Sequence, residues 1–139
     1  MRAATFLALT LLSGCTTMSP EEEEMKQEFA RQLTPFLKQL PSTWKRLEGE
    51  GVTTETLVEL DFVYSMPTEE VATQLSTMLR REFGYKTKVL DADGWRIEGR
   101  TGETRLTAEI VQQWLGFMVQ RGVEAKGRFE SWRVHRSDT

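Results

Sequence analysis

From Thr56 to Ser65 apolar and polar positions alternate, with Val58, Leu60, Phe62 and Tyr64 on one side and Glu59, Asp61, Val63 and Ser65 on the other. Successive strand side chains point to opposite faces, so this stretch predicts a strand with one buried side. The period then changes. Met66-Pro67-Thr68-Glu69-Glu70 opens a helix with Val71, Ala72, Leu75, Met78, Leu79 and Phe83 as its apolar face. Its acidic start and its Arg80-Arg81 end suit the helix dipole. Gly84 stops the helix, and Tyr85 to Leu90 reads as a second strand. Asp93-Gly94 signals a two-residue hairpin leading to a third strand at Trp95 to Arg100, with Gly99 and Gly102 marking the exit loop. Thr107 is expected to cap a second helix, with Leu106 and Val111 placed as a hydrophobic staple. Ile110, Val111, Trp114, Leu115 and Met118 supply its buried stripe, and Gly122 is expected to end it. Val123 to Val134 predicts a last strand that changes phase near Ser131, where a bulge would let Phe129 and Trp132 both face inward.

Upstream, Ser19-Pro20-Glu21-Glu22 carries the signature of a capped helix start, with Glu22 closing a capping box. Met25, Phe29, Leu33, Phe36, Leu37 and Leu40 recur at helical spacing. This stripe is expected to pack on the domain, with a groove-binding or dimerising helix as the alternative. Pro35 is expected to bend or divide the helix, Pro41 to end it, and Glu48 to Gly51 to form a loop. The order from Thr56 onward, strand, helix, hairpin, helix, strand, predicts an α+β chain of the ferredoxin-like βαββαβ type. That arrangement is a four-stranded antiparallel sheet with two helices on one face, here with an extra N-terminal helix.

The first residues read as an address. Arg2 precedes an uncharged run from Ala3 to Leu12, which fits a secretory signal. The run falls short of the roughly 20 apolar residues that span a bilayer. It ends in Leu12-Ser13-Gly14-Cys15, a pattern like the bacterial lipobox, whose cysteine carries the lipid. Cys15 is thus the expected lipidation site, and the membrane is engaged through its lipid. Thr16, rather than an aspartate, follows the cysteine, which favours the outer membrane, facing the periplasm. The expected organisation is a signal peptide over 1–14, a lipidated N-terminus with helix and linker over 15–55, a domain over 56–135 and a tail over 136–139. A start at Met18 would instead give a cytoplasmic protein.

Cys15 is the only cysteine, so no disulfide is expected. The 28% charged and 39% hydrophobic composition suits a globule rather than a disordered chain. The net charge of −3 argues against nucleic acid, whose phosphates require a basic face. His135, the only histidine, stands near the C-terminus without a fixed partner for base catalysis. Asp91-Ala92-Asp93-Gly94 resembles the start of a calcium loop but lacks the later ligands, so no metal is expected. The sequence contains neither a phosphate-binding glycine loop nor a G-x-S-x-G elbow. The expectation is a non-enzyme without a cofactor.

The stretch ELDFVYSMPTEEVATQLSTMLRREFGYKTKV, then DGW, then GRFESWRV resembles the regulator of ribonuclease E activity B family, also called the ribonuclease E inhibitor B superfamily. Members have a P-T-E-E-like helix start after the first strand and close on a glycine, an aromatic residue, an acid, a glycine and a tryptophan. Gly127, Phe129, Glu130 and Trp132 match, and Ser131 departs from the usual glycine. The resemblance covers roughly Thr56 to Val134. It implies a non-enzymatic protein-binding domain in which Pro67, Trp95, Gly127, Phe129 and Trp132 are chiefly structural. Ribonuclease E is cytoplasmic, and a protein anchored outside the inner membrane does not meet it. The expectation is therefore an envelope lipoprotein that binds another protein, an immunity or inhibitor factor against a toxin or nuclease. A cytoplasmic regulator of ribonuclease E and a self-associating structural envelope protein are the alternatives. Glu59, Asp61 and Glu130, acids on or near the sheet, are the expected contacts for a basic partner.

Overall fold

The computed structural model describes residues 18–136. The signal segment over 1–14, Cys15 and tail residues 137–139 lie outside the described residues. Three helices and an antiparallel sheet make an α+β molecule. In chain order they are α1 (Pro20–Gly49), β1 (Leu57–Met66), α2 (Glu69–Phe83), β2 (Lys86–Asp91), β3 (Trp95–Arg100), β4 (Thr104–Arg105), α3 (Ala108–Glu124) and β5 (Arg128–Arg136).

β1 lies at the centre, with β3 and then β2 on one side and β5 on the other. The two-residue β4 pairs with the start of β1, where Leu57 and Val58 face Arg105 and Thr104. Between β3 and β4 the buried Thr101 extends the ladder. Its backbone N–H donates to the Leu60 carbonyl, and its hydroxyl accepts from the Leu60 N–H, both at 2.9 Å. Val58, Leu60, Phe62 and Tyr64 all point to the helices and are buried. α2 packs on β2, β3 and β1, α3 on β5, and α1 against α3.

The caps follow the expected chemistry. Ser19 forms the capping box with Glu22, and Thr68 and Thr107 each accept the N–H three residues ahead. Leu106 and Val111 are both buried. The β2–β3 hairpin is present, but its loop has three residues rather than the expected two: Asp91 pairs with Trp95, and Asp93 and Gly94 both take positive φ. The bulge in β5 is present. Val63 faces Ser131 and Tyr64 faces Phe129, so Glu130 is the extra residue. Phe129 and Trp132 consequently share the helix-facing side with Tyr64 and Phe62.

Several expectations are corrected. α1 runs unbroken through Pro35 and Pro41 to Gly49. A proline inside a helix costs about 3 kcal/mol through a lost donor and a crowded carbonyl. Here the apolar stripe continues past Pro41. Leu40 and Leu47 are buried, and Phe36 and Trp44 pack on the same core. Each such side chain contributes roughly 1.5–3 kcal/mol on full burial, enough to hold the helix across both breaks. The helix ends where Gly51, at φ +94°, lets the Val52 N–H reach the Leu47 carbonyl at 3.0 Å.

Gly99 is not in an exit loop; it lies within β3 opposite Phe62, where a Cβ would collide with the Phe62 ring. Gly122 lies within α3, where a Cβ would come 3.0 Å from Tyr64 Cε1. The helix goes on to Glu124, so β5 begins at Arg128, later than the expected Val123. Lys126, at φ +61°, makes the closing turn, with its N–H on the Val123 carbonyl and the Gly127 N–H on that of Gly122. Ile110 and Phe83, expected inside, are each 45% exposed, because each sits at a helix end beyond the sheet's cover.

Candidate functional site

Apart from Glu130, the residues of the closing pattern belong to the inner face. Gly127 lies against Met66 and the Ser65 carbonyl, where no side chain fits. Phe129 is buried, with ring centroids 5.3 Å from both Phe36 and Tyr64 and 5.9 Å from Trp114. Trp132 meets Trp114 edge-on at 6.2 Å. Trp95 pairs with Met66 and packs against the core. Pro67 occupies the turn between β1 and α2. These residues fix the packing and present no reactive group.

The opposite face of the sheet is uncovered among the described residues. Pairing register sorts its side chains into rows. Lys86, Arg100, Asp61 and Arg133 form one row across β2, β3, β1 and β5. Lys88, Glu98, Val63 and Ser131 form the next, and Leu90, Arg96, Ser65 and Arg128 the third. Glu59 faces His135 at the far end of β1. Adjacent strands lie about 4.8 Å apart, so each four-strand row spans about 14 Å. A shallow depression of about 720 Å³ lies over the first two rows, walled by Lys86, Lys88, Arg100 and Arg133 with Asp61, Glu98, Val63 and Ser131 between.

Asp61 organises the first row. Arg100 donates to its two oxygens from Nε at 2.5 Å and Nη2 at 3.2 Å, and Arg133 Nε donates at 3.3 Å. Burial by itself pushes the Asp61 carboxyl up. The hydrogen bonds and positive charge of Arg100, and then of Arg133, outweigh it and hold the group below its ordinary 3.8. Glu59 lies 4.0 Å from the same Arg100, and Lys88 lies 3.9 Å from Glu98. The acids sit beneath the cations. Asp61 and Glu59 are each 19% exposed, whereas Lys88 is 68% and Arg133 80% exposed.

The structure brings Glu59 and Asp61 together around Arg100, and leaves Glu130 apart as the exposed extra residue of the bulge. The accessible charge of this face is basic, because neighbouring arginines already occupy the carboxylates. Lys86, Lys88, Arg96, Arg100, Arg128 and Arg133 were not singled out from the sequence. A signal was there: KTK in β2 and R-I-E-G-R in β3 alternate in the way β1 does. Among the described residues no group of three or more His, Cys, Asp or Glu side chains is placed to hold a metal ion. No described helix is long and apolar enough to cross a membrane. No protein-family model matches the chain, and no curated protein matches it.

Proposed function

We propose that the chain is a non-enzymatic envelope lipoprotein that binds another protein through the open face of its sheet, as an immunity or inhibitor factor against a toxin or nuclease. The observation that carries this reading is the uncovered sheet face, a four-strand surface of ordered charge backed by a closely packed core. Its polar groups satisfy one another, as Asp61 does with Arg100 and Arg133, which suits a recognition surface better than a reacting centre. The strand order β2-β3-β1-β5 supports reading the domain as ferredoxin-like, with β4 and α1 as additions. Fold does not determine activity, so the functional reading rests on the face itself.

The lipobox-like Leu12-Ser13-Gly14-Cys15 supports the anchor and an outer-membrane location facing the periplasm. Three residues separate Cys15 from the Ser19 cap, four steps with a reach of about 14 Å at most, which would hold the domain close to the bilayer. Self-association through the Met25 to Leu40 stripe draws no support, because Met25, Phe29, Leu33, Phe36 and Leu40 pack against the core.

The test is intact mass and membrane fractionation of the protein expressed in a bacterial host, beside Cys15→Ser, followed by co-purification. The expected result is a lipidated mature form beginning at Cys15, lost in the variant, that retains an envelope or toxin protein. A soluble, unlipidated form beginning at Met18 and retaining ribonuclease E would overturn it in favour of a cytoplasmic nuclease regulator.

A further inference from the structure

We infer that the open sheet face captures an acidic polypeptide segment of its partner. This rests on the protein-binding reading above and specifies the chemistry of what is bound. Six cations, Lys86, Lys88, Arg96, Arg100, Arg128 and Arg133, meet three carboxylates in or beside these rows, Glu59, Asp61 and Glu98, and the unpaired bulge residue Glu130 is counted with them as a fourth. The face therefore carries +2 on a chain of formal charge −3, leaving −5 for the rest of the molecule.

Exposure sharpens the contrast. The two Arg100-linked acids are held under the guanidinium groups, while the heads of Lys88 and Arg133 reach into solvent. A carboxylate placed over the depression meets four cations, Lys86, Lys88, Arg100 and Arg133, against two acids, Glu98 and Asp61, and Asp61 is already held by Arg100 and Arg133. Arg133 gives up little on binding, since a single 3.3 Å contact to Asp61 is its one hydrogen bond among those described.

The same geometry disfavours the other anionic occupants. Single-stranded nucleic acid binds open sheets by stacking bases on aromatic side chains. The outward positions at the centre of this face are Val63, Ser131, Glu98 and Ser65, whereas Phe62, Tyr64, Phe129 and Trp132 all point inward. A nucleic-acid backbone or an anionic bilayer would also extend beyond the basic patch and meet the acidic remainder. An extended acidic segment of about four residues fits within the roughly 14 Å span of the rows, and a flexible chain lets its flanks turn away.

The experiment uses the domain-bearing chain, with Cys15→Ser to keep it soluble, and a fluorescein-labelled peptide of eight alternating Asp and Glu residues as probe. Fluorescence anisotropy in low salt is expected to show saturable binding that weakens as salt rises. Lys86→Ala, Lys88→Ala and Arg133→Ala combined should lower affinity at least tenfold. Glu21→Gln with Glu24→Gln, at the start of α1, should leave it within twofold. Circular dichroism of the triple variant confirms that the fold persists. Equal binding by wild type and triple variant would overturn the inference. So would tighter binding of an eight-nucleotide oligouridylate or of phosphatidylglycerol vesicles than of the peptide, or a peptide-independent dimer in sedimentation. The lipid anchor is read by mass and fractionation, so failure here leaves that part of the functional reading standing, and the reverse.

Discussion

The Tyr64 hydroxyl, on the central strand, donates to the backbone carbonyl of Met118 in α3 at 2.6 Å. This bond ties the middle of the sheet to the middle of the helix that covers it, and Gly122 leaves room for the ring. Tyr64→Phe keeps the packing and removes the bond, at an expected cost of about 1 kcal/mol by urea unfolding. Burial also raises the Tyr64 pKa far above its ordinary 10.0. A group raised in the folded state gives stability that is complete below its unfolded pKa and is lost as pH climbs past it. Wild type should therefore lose stability above about pH 10, and Tyr64→Phe should flatten that loss, as melting temperatures from pH 8 to 11 would show.

Two glycines should respond in opposite ways. Gly116 lies within α3 with open space where a Cβ would sit, so Gly116→Ala should gain about 0.5–1 kcal/mol from helix propensity. At Gly127 a Cβ would come 2.6 Å from the Ser65 carbonyl oxygen, on a backbone that cannot easily move. Gly127→Ala should cost about 1–3 kcal/mol in the same assay, and a neutral result would contradict the close approach of β5 to β1.

Lys126 holds the left-handed turn that glycine usually occupies after a helix. Lys126→Gly should relieve strain and stabilise the protein by about 1 kcal/mol, seen as a higher urea midpoint at unchanged slope.

Asp61 titrates below its ordinary value, so its contribution to stability is complete above about pH 4 and fades as pH falls through its lowered pKa. Asp61→Asn should make the acid limb of the stability curve shallower below pH 4. It should not weaken binding of the acidic peptide, because it removes a carboxylate from the face.

Glu130 is the one residue of β5 without a place in the ladder. Deleting it restores strict alternation, leaving Phe129 and Trp132 inward and Ser131 outward, so the domain should still fold cooperatively. Deleting Arg133 instead shifts Val134, which pairs with the buried Leu60, to the outer face. Thermal melts of the two deletions should separate clearly, with the Arg133 deletion the less stable.

Much of the molecule was legible along the chain because it depends on neighbours in sequence. The alternation in β1, the caps at Ser19, Thr68 and Thr107, and the stop at Gly84 are local chemistry, and each stands where the residues place it. The bulge was legible for a related reason, since two large aromatic side chains at Phe129 and Trp132 could share a face only if the period broke between them. Two glycines, unlike Gly84, are not punctuation. Gly99 and Gly122 are small because Phe62 and Tyr64, distant in sequence, press against them.

By itself, the sequence determined the three helices and the four longer strands in outline, though not the two-residue β4, and which face of β1 is buried, because side-chain period and capping act within a few residues. Only the tertiary structure decided that α1 crosses two prolines, because the compensating burial comes from α3 and β5. It also decided the charge of the open face. Asp61 and Glu59 stand alone in the sequence of β1, and antiparallel pairing with β3 and β5 lays Arg100 and Arg133 across them. Charge at a surface is a sum over strands brought together by folding, and no single strand carries that sum.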